Sequence, residues 1–112
     1  MRLRRALDRE NVTEALSAAS ELGFVGLAEA RELTLLLADK EPERYDHAAV
    51  RWHVRFVSDS KNVDLRESLA VLGLLAAIPA NRLAASALAE LLSRRRGLER
   101  AAEALVGWSR GA

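Results

Sequence analysis

The residues of this sequence that could do chemistry, by type and spacing, are mostly arginines. Four basic residues recur at steps of three or four positions: Arg44, His47, Arg51 and Arg55. On a helix this spacing places about one side chain per turn along a single face. Such a face could bind an acidic partner helix or a phosphate backbone, so we identify it as a candidate partner-binding surface. The alternative is a solvated face whose cations pair with neighbouring acids.

A second basic cluster lies near the end of the sequence. Its members are Arg94, Arg95, Arg96 and Arg100. Closely spaced guanidinium groups are typical of phosphate contacts, and this cluster is the candidate site for them. A structural role is the alternative, because cations in the last turn of a helix before Gly97 stabilise the helix dipole.

Residue types for catalysis or metal binding are scarce. The sequence has no cysteine, no Gly-rich loop followed by Lys-Ser or Lys-Thr, and no Glu-x-x-His or His-x-x-x-His pair. His47 and His53 are six positions apart, so on one helix they point about 120° apart and cannot share a metal ion. We therefore expect no enzyme activity, no catalytic residues, no cofactor and no metal.

The composition predicts a single all-α domain over residues 1–112. The chain has 21 Ala and 20 Leu against 5 aromatic residues and 2 Pro, and Ala and Leu are the strongest helix formers. A net charge of +1 is too small for the chain as a whole to be attracted electrostatically to nucleic acid or to an acidic membrane. The longest apolar run, residues 69–78, is well short of the ~20 residues of a spanning helix. With no leader pattern in MRLRRALDRE, we expect a cytoplasmic protein that does not bind membranes.

Cap and breaker residues divide the chain into helices. The predicted helices cover residues 2–9, 11–23, 26–40, 42–59, 64–78, 80–95 and 98–109. Asn11 and Asp64 are the predicted N-caps, Gly23 ends the second helix, and Pro79 ends the fifth. Because the linkers are short, neighbouring helices should pack antiparallel. The expected architecture is six or seven short helices in antiparallel hairpins, either a helical array or a short α-solenoid-like bundle.

A helix-start pattern occurs twice, 38 residues apart. Residues 25–30 and 63–68 each contain an apolar residue, a cap, a Leu and a Glu three positions after the cap. Helices that restart on such a period suggest helical hairpins packed side by side. Chance in a chain rich in Ala and Leu is the alternative explanation.

Apolar residues are more numerous than a domain of this size should need. The fourth helix has an apolar face of Tyr45, Ala48, Ala49, Trp52 and Phe56. Val50 and Val57 are predicted to widen that face. The third helix is rich in Leu, and the fifth is apolar almost all round. This excess predicts that some of the surface closes a homodimer.

The sequence has two resemblances, of which the first supports an arrangement of helical hairpins. The small and polar positions Ala6-Leu7, Asn11, Ala15-Leu16, Ala18-Ala19 and Leu22 resemble one helix-turn-helix unit of a tetratricopeptide-type repeat. The whole chain, with 15 Arg and 2 Lys, is similar to short helical proteins of high-GC actinobacteria. The first resemblance implies stacked helical hairpins, and the second implies a bacterial protein without an assigned activity.

These observations predict a small, non-catalytic protein-interaction or assembly domain that self-associates. The expected mechanism is helix-in-groove docking at the face from Arg44 to Arg55, flanked by apolar surface of the third or fifth helix. An accessory nucleic-acid-binding protein, whose Arg clusters contact the phosphate backbone without reading bases, is the alternative.

Overall fold

The computed structural model describes residues 2–96 and is all-α, which confirms the predicted fold class. Its helices are α1 (Arg2–Asp8), α2 (Val12–Leu22), α3 (Leu27–Lys40), α4 (Tyr45–Asp59) and α5 (Leu65–Ala77). A further helix, α6, covers residues 83–96. No helix in this part of the chain is both long and apolar enough to cross a bilayer. The predicted helix over residues 98–109 and Arg100 lie outside the described residues.

Both predicted N-caps are confirmed. The Oδ1 atom of Asn11 accepts a hydrogen bond of 3.1 Å from the backbone N–H of Glu14. Asp64 Oδ1 accepts one of 2.8 Å from the backbone N–H of Glu67. Gly23 follows α2 and ends it, as predicted, with a φ of 73°. This backbone conformation is not strained in glycine, because glycine has no Cβ atom.

The predicted 38-residue period is seen in the helix starts. The helices α3 and α5 begin at Leu27 and Leu65, the equivalent positions of the two patterns. Gly26 precedes α3 without a side-chain cap, whereas Asp64 caps α5. The two patterns therefore mark helix starts, although only one of them supplies a side-chain hydrogen bond.

Two predicted helix starts differ from the structure. Residues 42–44 form a 3₁₀ turn, closed by a hydrogen bond from the Arg44 N–H to the Glu41 carbonyl, and α4 begins at Tyr45. The sixth helix begins at residue 83 rather than 80. There Asn81 Oδ1 accepts a hydrogen bond of 3.0 Å from the Leu83 N–H, so the Asn side chain caps the helix where Pro79 and Ala80 cannot.

The core consists of two apolar clusters joined by α3. The first is built by α1, α2 and α3 from Leu3, Ala6, Leu7, Val12, Ala15, Ala18, Leu36 and Leu37. The second is built by α4, α5 and the region through α6 from Tyr45, Ala49, Trp52, Phe56, Val71, Leu75, Ile78, Ala84 and Leu88. The opposite side of α3, including Leu35 and Ala38, packs against the second cluster. The Leu-rich third helix is thus covered on two sides.

Val50 and Val57 extend the apolar face of α4, but this extension of the face is not buried. Their exposed fractions are 55% and 40%. The α3 and α5 contacts of α4 cover the side that carries Trp52 and Phe56, and no described element covers the flank on which the two valines lie. Leu65, Leu69 and Leu72 of α5 are exposed as well.

Candidate interaction groove

A groove of about 520 Å³ lies beside the predicted basic face of α4. The helices α2 and α4 both pack against α3, so α3 forms the floor of the groove and the other two form its walls. The lining residues are Leu16, Ala19, Ser20, Gly23, Val25, Ala30, Leu33, Thr34, Leu37, Ala48, Arg51, Trp52 and Arg55. The volume and the mostly apolar lining are typical of binding sites.

Small side chains keep this groove open. Ala19 of α2, Ala30 of α3 and Ala48 of α4 each present only a methyl group to it. Thr34 on the floor is buried and donates its hydroxyl hydrogen bond to the Ala30 carbonyl at 2.8 Å, which leaves its methyl group for apolar contact. These four side chains therefore contribute apolar surface between the two arginines of the groove.

The two arginines of the groove differ in their surroundings. Arg51 is exposed and has no hydrogen-bond or ion-pair partner among residues 2–96. Arg55 is held in place: its Nε atom donates to Asp59 Oδ2 at 3.1 Å, and its guanidinium carbon lies 4.9 Å from the ring centroid of Phe24. Arg51 is thus the cation that is available to a ligand.

Only part of the predicted basic face reaches the groove. Arg51 and Arg55 line it, whereas Arg44 and His47 lie nearer the start of α4 and outside the lining. The Arg44 Nη1 atom is 3.6 Å from Glu41 Oε1, in agreement with the solvated alternative for that residue. His47 is exposed and has no partner within the described part of the chain.

No family model matches this sequence. The comparisons with curated proteins and with solved structures also find no match. The resemblances to tetratricopeptide-type hairpins and to actinobacterial helical proteins stay predictions, and the candidate sites rest on the geometry alone. Among residues 2–96 no group of three or more His, Asp and Glu side chains is placed to bind a metal ion.

The predicted phosphate cluster is largely engaged by acids. Arg94 Nη2 donates to Glu90 Oε1 at 2.6 Å on the surface of α6. Arg95 is mostly buried and donates from Nη1 to Glu67 Oε1 at 2.8 Å, which joins α6 to α5. These ion pairs occupy both residues with acids of the same chain, and the predicted interaction with the helix dipole stays a prediction.

Arg96 enters a second recess, which we call the arginine pocket. It has a volume of about 150 Å³ and lies between α3, α4 and α6. It is lined by Leu27, Ala28, Arg31, Trp52, Phe56, Ser60, Leu92, Arg95 and Arg96. No sequence pattern pointed to Arg31, because the two other arginines of this pocket come from α6, much later in the chain.

Six exposed aliphatic residues form a further surface, the valine–leucine face. Its members are Val50, Val54, Val57, Leu65, Leu69 and Leu72. His53 Nε2 of α4 lies 2.9 Å from Ser68 Oγ of α5, and the antiparallel Tyr45–Leu75 contact lies further along the same pair of helices. Val50, Val54 and Val57 share one face of α4, and Leu65, Leu69 and Leu72 share one face of α5, because each set has the spacing i, i+4 and i+7. Both faces lie beside the His53–Ser68 contact of the antiparallel pair, so the valines and leucines lie side by side.

Proposed function

We propose that this chain is a small protein-interaction domain whose groove binds one face of an amphipathic helix from a protein partner. The observation that carries the proposal is the groove between α2, α3 and α4, with Arg51 at its edge and without an ion-pair partner among residues 2–96. An amphipathic helix inserts apolar side chains at positions i, i+3 or i+4, and i+7 into such grooves. The alanines of the walls and floor leave room for those anchors.

The partner helix should carry acidic residues beside its apolar face. Arg51 is free to form an ion pair across the interface, whereas the charge of Arg55 is already shared with Asp59. Phe24, which is exposed and stacks on Arg55, extends the apolar edge of the groove toward the partner. A charge pair at the rim would set the orientation and association rate more than the affinity.

The valine–leucine face supports self-association as the second part of this function. A two-fold axis places the same patch of both copies against each other. None of the six side chains on this face is charged, so pairing the face with itself brings no like charges together at its centre. Two α4–α5 hairpins joined in this way would form a four-helix interface, and we propose a homodimer of this kind.

Nucleic-acid binding through the Arg clusters ranks below the groove. Arg94 and Arg95 are ion-paired with acids of the same chain. Near the other end of the chain, Arg2 pairs with Glu21 and Arg4 with Glu32. Breaking these pairs to bind phosphate would cost part of the attraction that drives backbone contacts.

Capture from a native lysate, with and without nuclease, tests this function. Tagged wild-type protein should retain a protein partner after nuclease, and two groove variants should lose it. Arg51→Glu reverses the charge at the edge, and Ala48→Trp fills the groove with an indole. Arg66→Glu is the matched control and should retain the partner, because Arg66 is exposed, lies outside the groove and has no ion-pair partner in the described part of the chain.

Each result has a defined meaning. Partner loss in both groove variants, with unchanged helicity by circular dichroism, supports docking in the groove. Equal retention by the wild type and both groove variants contradicts it. Recovery of nuclease-sensitive material alone would favour the nucleic-acid alternative.

A further inference from the structure

The arginine pocket gathers three cations without a carboxylate in its lining. Arg31 comes from the first half of α3, and Arg95 and Arg96 come from the described end of α6. Trp52 and Phe56 of α4 form an apolar wall, with their rings stacked at a centroid distance of 5.5 Å. Ser60, just beyond α4, contributes a hydroxyl group to the edge of the pocket.

Two of these cations are uncompensated within residues 2–96. Neither Arg31 nor Arg96 has a carboxylate oxygen of this region within ion-pair distance. Burial lowers the pKa of the Arg31 guanidinium, and the charge of Arg96 lowers it further, against a smaller opposing effect of Glu32. Holding the exposed Arg96 beside the half-buried Arg31 is unfavourable unless an anion lies between the two like charges.

The third cation is fixed in position by its own contacts. Arg95 is held by Glu67, and its guanidinium carbon lies 5.8 Å from the ring centroid of Phe56. Glu67 therefore balances the charge of Arg95, and the net positive charge of the pocket comes from Arg31 and Arg96. A preorganised wall with two available guanidinium groups is the arrangement that binds oxyanions, since each group can donate two parallel hydrogen bonds.

We propose that the arginine pocket is a binding site for a small tetrahedral oxyanion, a phosphate group, held between Arg31 and Arg96. Its volume of about 150 Å³ is below the ~300–1,000 Å³ of sites for drug-sized ligands, so it suits a single ionic group. The group can be free inorganic phosphate or the phosphate of a monoester whose remainder lies outside the pocket. This site is separate from the groove, and neither proposal depends on the other.

Thermal unfolding of the full chain in sodium phosphate tests the site, with sodium chloride of equal ionic strength as the reference. The Tm of the wild type should rise with phosphate concentration, approximately with its logarithm once the concentration exceeds the Kd of the site. Arg31→Met and Arg96→Met each keep an unbranched apolar side chain but remove a guanidinium group. Each should weaken the apparent affinity for phosphate by about tenfold or more. Arg94→Met, on the same helix but outside this pocket, is the matched control.

The same variants provide a readout that general salt effects do not affect. Without phosphate, removal of either guanidinium relieves the repulsion between Arg31 and Arg96, so both variants should have a Tm equal to or above that of the wild type. Arg96 is exposed at the described end of α6, so its replacement tests the site even if Arg31→Met disturbs packing. A Tm rise of equal size in the wild type and both variants, or no rise beyond chloride, would overturn the proposal.

Two further ligands, a phosphate monoester and an oligonucleotide, identify the source of the phosphate group. The probe is glycerol 3-phosphate, titrated against the wild type in place of inorganic phosphate. Tighter binding of the monoester means that the pocket recognises the end of a larger ligand, and equal binding means that it recognises the free ion. Displacement of phosphate by a single-stranded oligonucleotide without terminal phosphates would overturn the small-ion site in favour of backbone binding.

Discussion

The Nε1 atom of Trp52 donates a hydrogen bond of 2.9 Å to the carbonyl oxygen of Leu27. This bond ties the middle of α4 to the first turn of α3. Trp52 lines the groove on one side and the arginine pocket on the other. The indole therefore positions the wall that separates the two recesses.

Trp52→Ala should lower the free energy of unfolding by about 3–5 kcal/mol, because it removes a buried aromatic side chain and leaves a cavity. Trp52→Phe retains most of the packing and should cost less, with about 1 kcal/mol due to the lost hydrogen bond. Urea unfolding measures both values. A loss below 1 kcal/mol for Trp52→Ala would contradict the core position of the indole.

Stability should fall as the pH rises from about 10 to about 12. Burial raises the pKa of Tyr45 from its ordinary value of 10.0 to about 12, and the carboxylate of Asp46 adds to the rise. In this window the unfolded chain releases the phenolic proton while the folded chain retains it, so unfolding becomes more favourable with increasing pH.

The Tyr45→Phe variant isolates that effect. Tyr45 is the only tyrosine in the sequence, and its hydroxyl donates to the Leu75 carbonyl at 2.6 Å. The variant should be less stable at neutral pH by about 1 kcal/mol, and the stability difference should shrink above pH 10. The measurement is chemical unfolding of both proteins between pH 8 and pH 12. A constant difference over this range would show that Tyr45 does not titrate as expected.

Asp64→Ala should destabilise the protein by about 1 kcal/mol, because it removes the side-chain acceptor for the Glu67 N–H at the start of α5. Asp64→Asn keeps an acceptor oxygen and should retain most of the stability. Equal losses for the two variants in thermal unfolding would assign the effect to the charge of Asp64 rather than to the hydrogen bond.

Leu69→Glu should convert a homodimer into a folded monomer. Leu69, with 60% of its surface exposed, lies within the valine–leucine face, and a buried carboxylate there would cost more than the contact contributes. Leu83→Glu, at an exposed leucine outside that face, is the control and should leave the dimer intact. Sedimentation velocity measures the masses. A monomeric wild type at high concentration would refute self-association through this face.

Local features of the fold could be predicted from the sequence because they depend on near neighbours. The caps at Asn11 and Asp64 act on residues three positions later, and the spacing of Arg51 and Arg55 places both on one helix face. The positions of Val50 and Val57 could not be predicted in the same way. An apolar arc shows that a helix packs against something, but it does not show which flank is covered.

The sites depended on contacts that the sequence does not encode locally. The groove exists because Ala19 and Ala48, from different helices, both face the same side of α3. Arg31 resembles an ordinary surface arginine until α6 brings Arg96 into its pocket. The predicted phosphate cluster contained Arg95 and Arg96 but missed the third arginine for this reason.

The division of the core gives the groove a further property. The first cluster and the second are joined by α3 and by Ala48 of α4, and the groove opens along their junction, with Leu33 packed against the first and Ala30 against the second. Each half can therefore open separately in the free protein, and amide hydrogen exchange should show two levels of protection. A helix seated in the groove contacts both halves at once, so binding should merge them into one cooperative unit with a single level of protection.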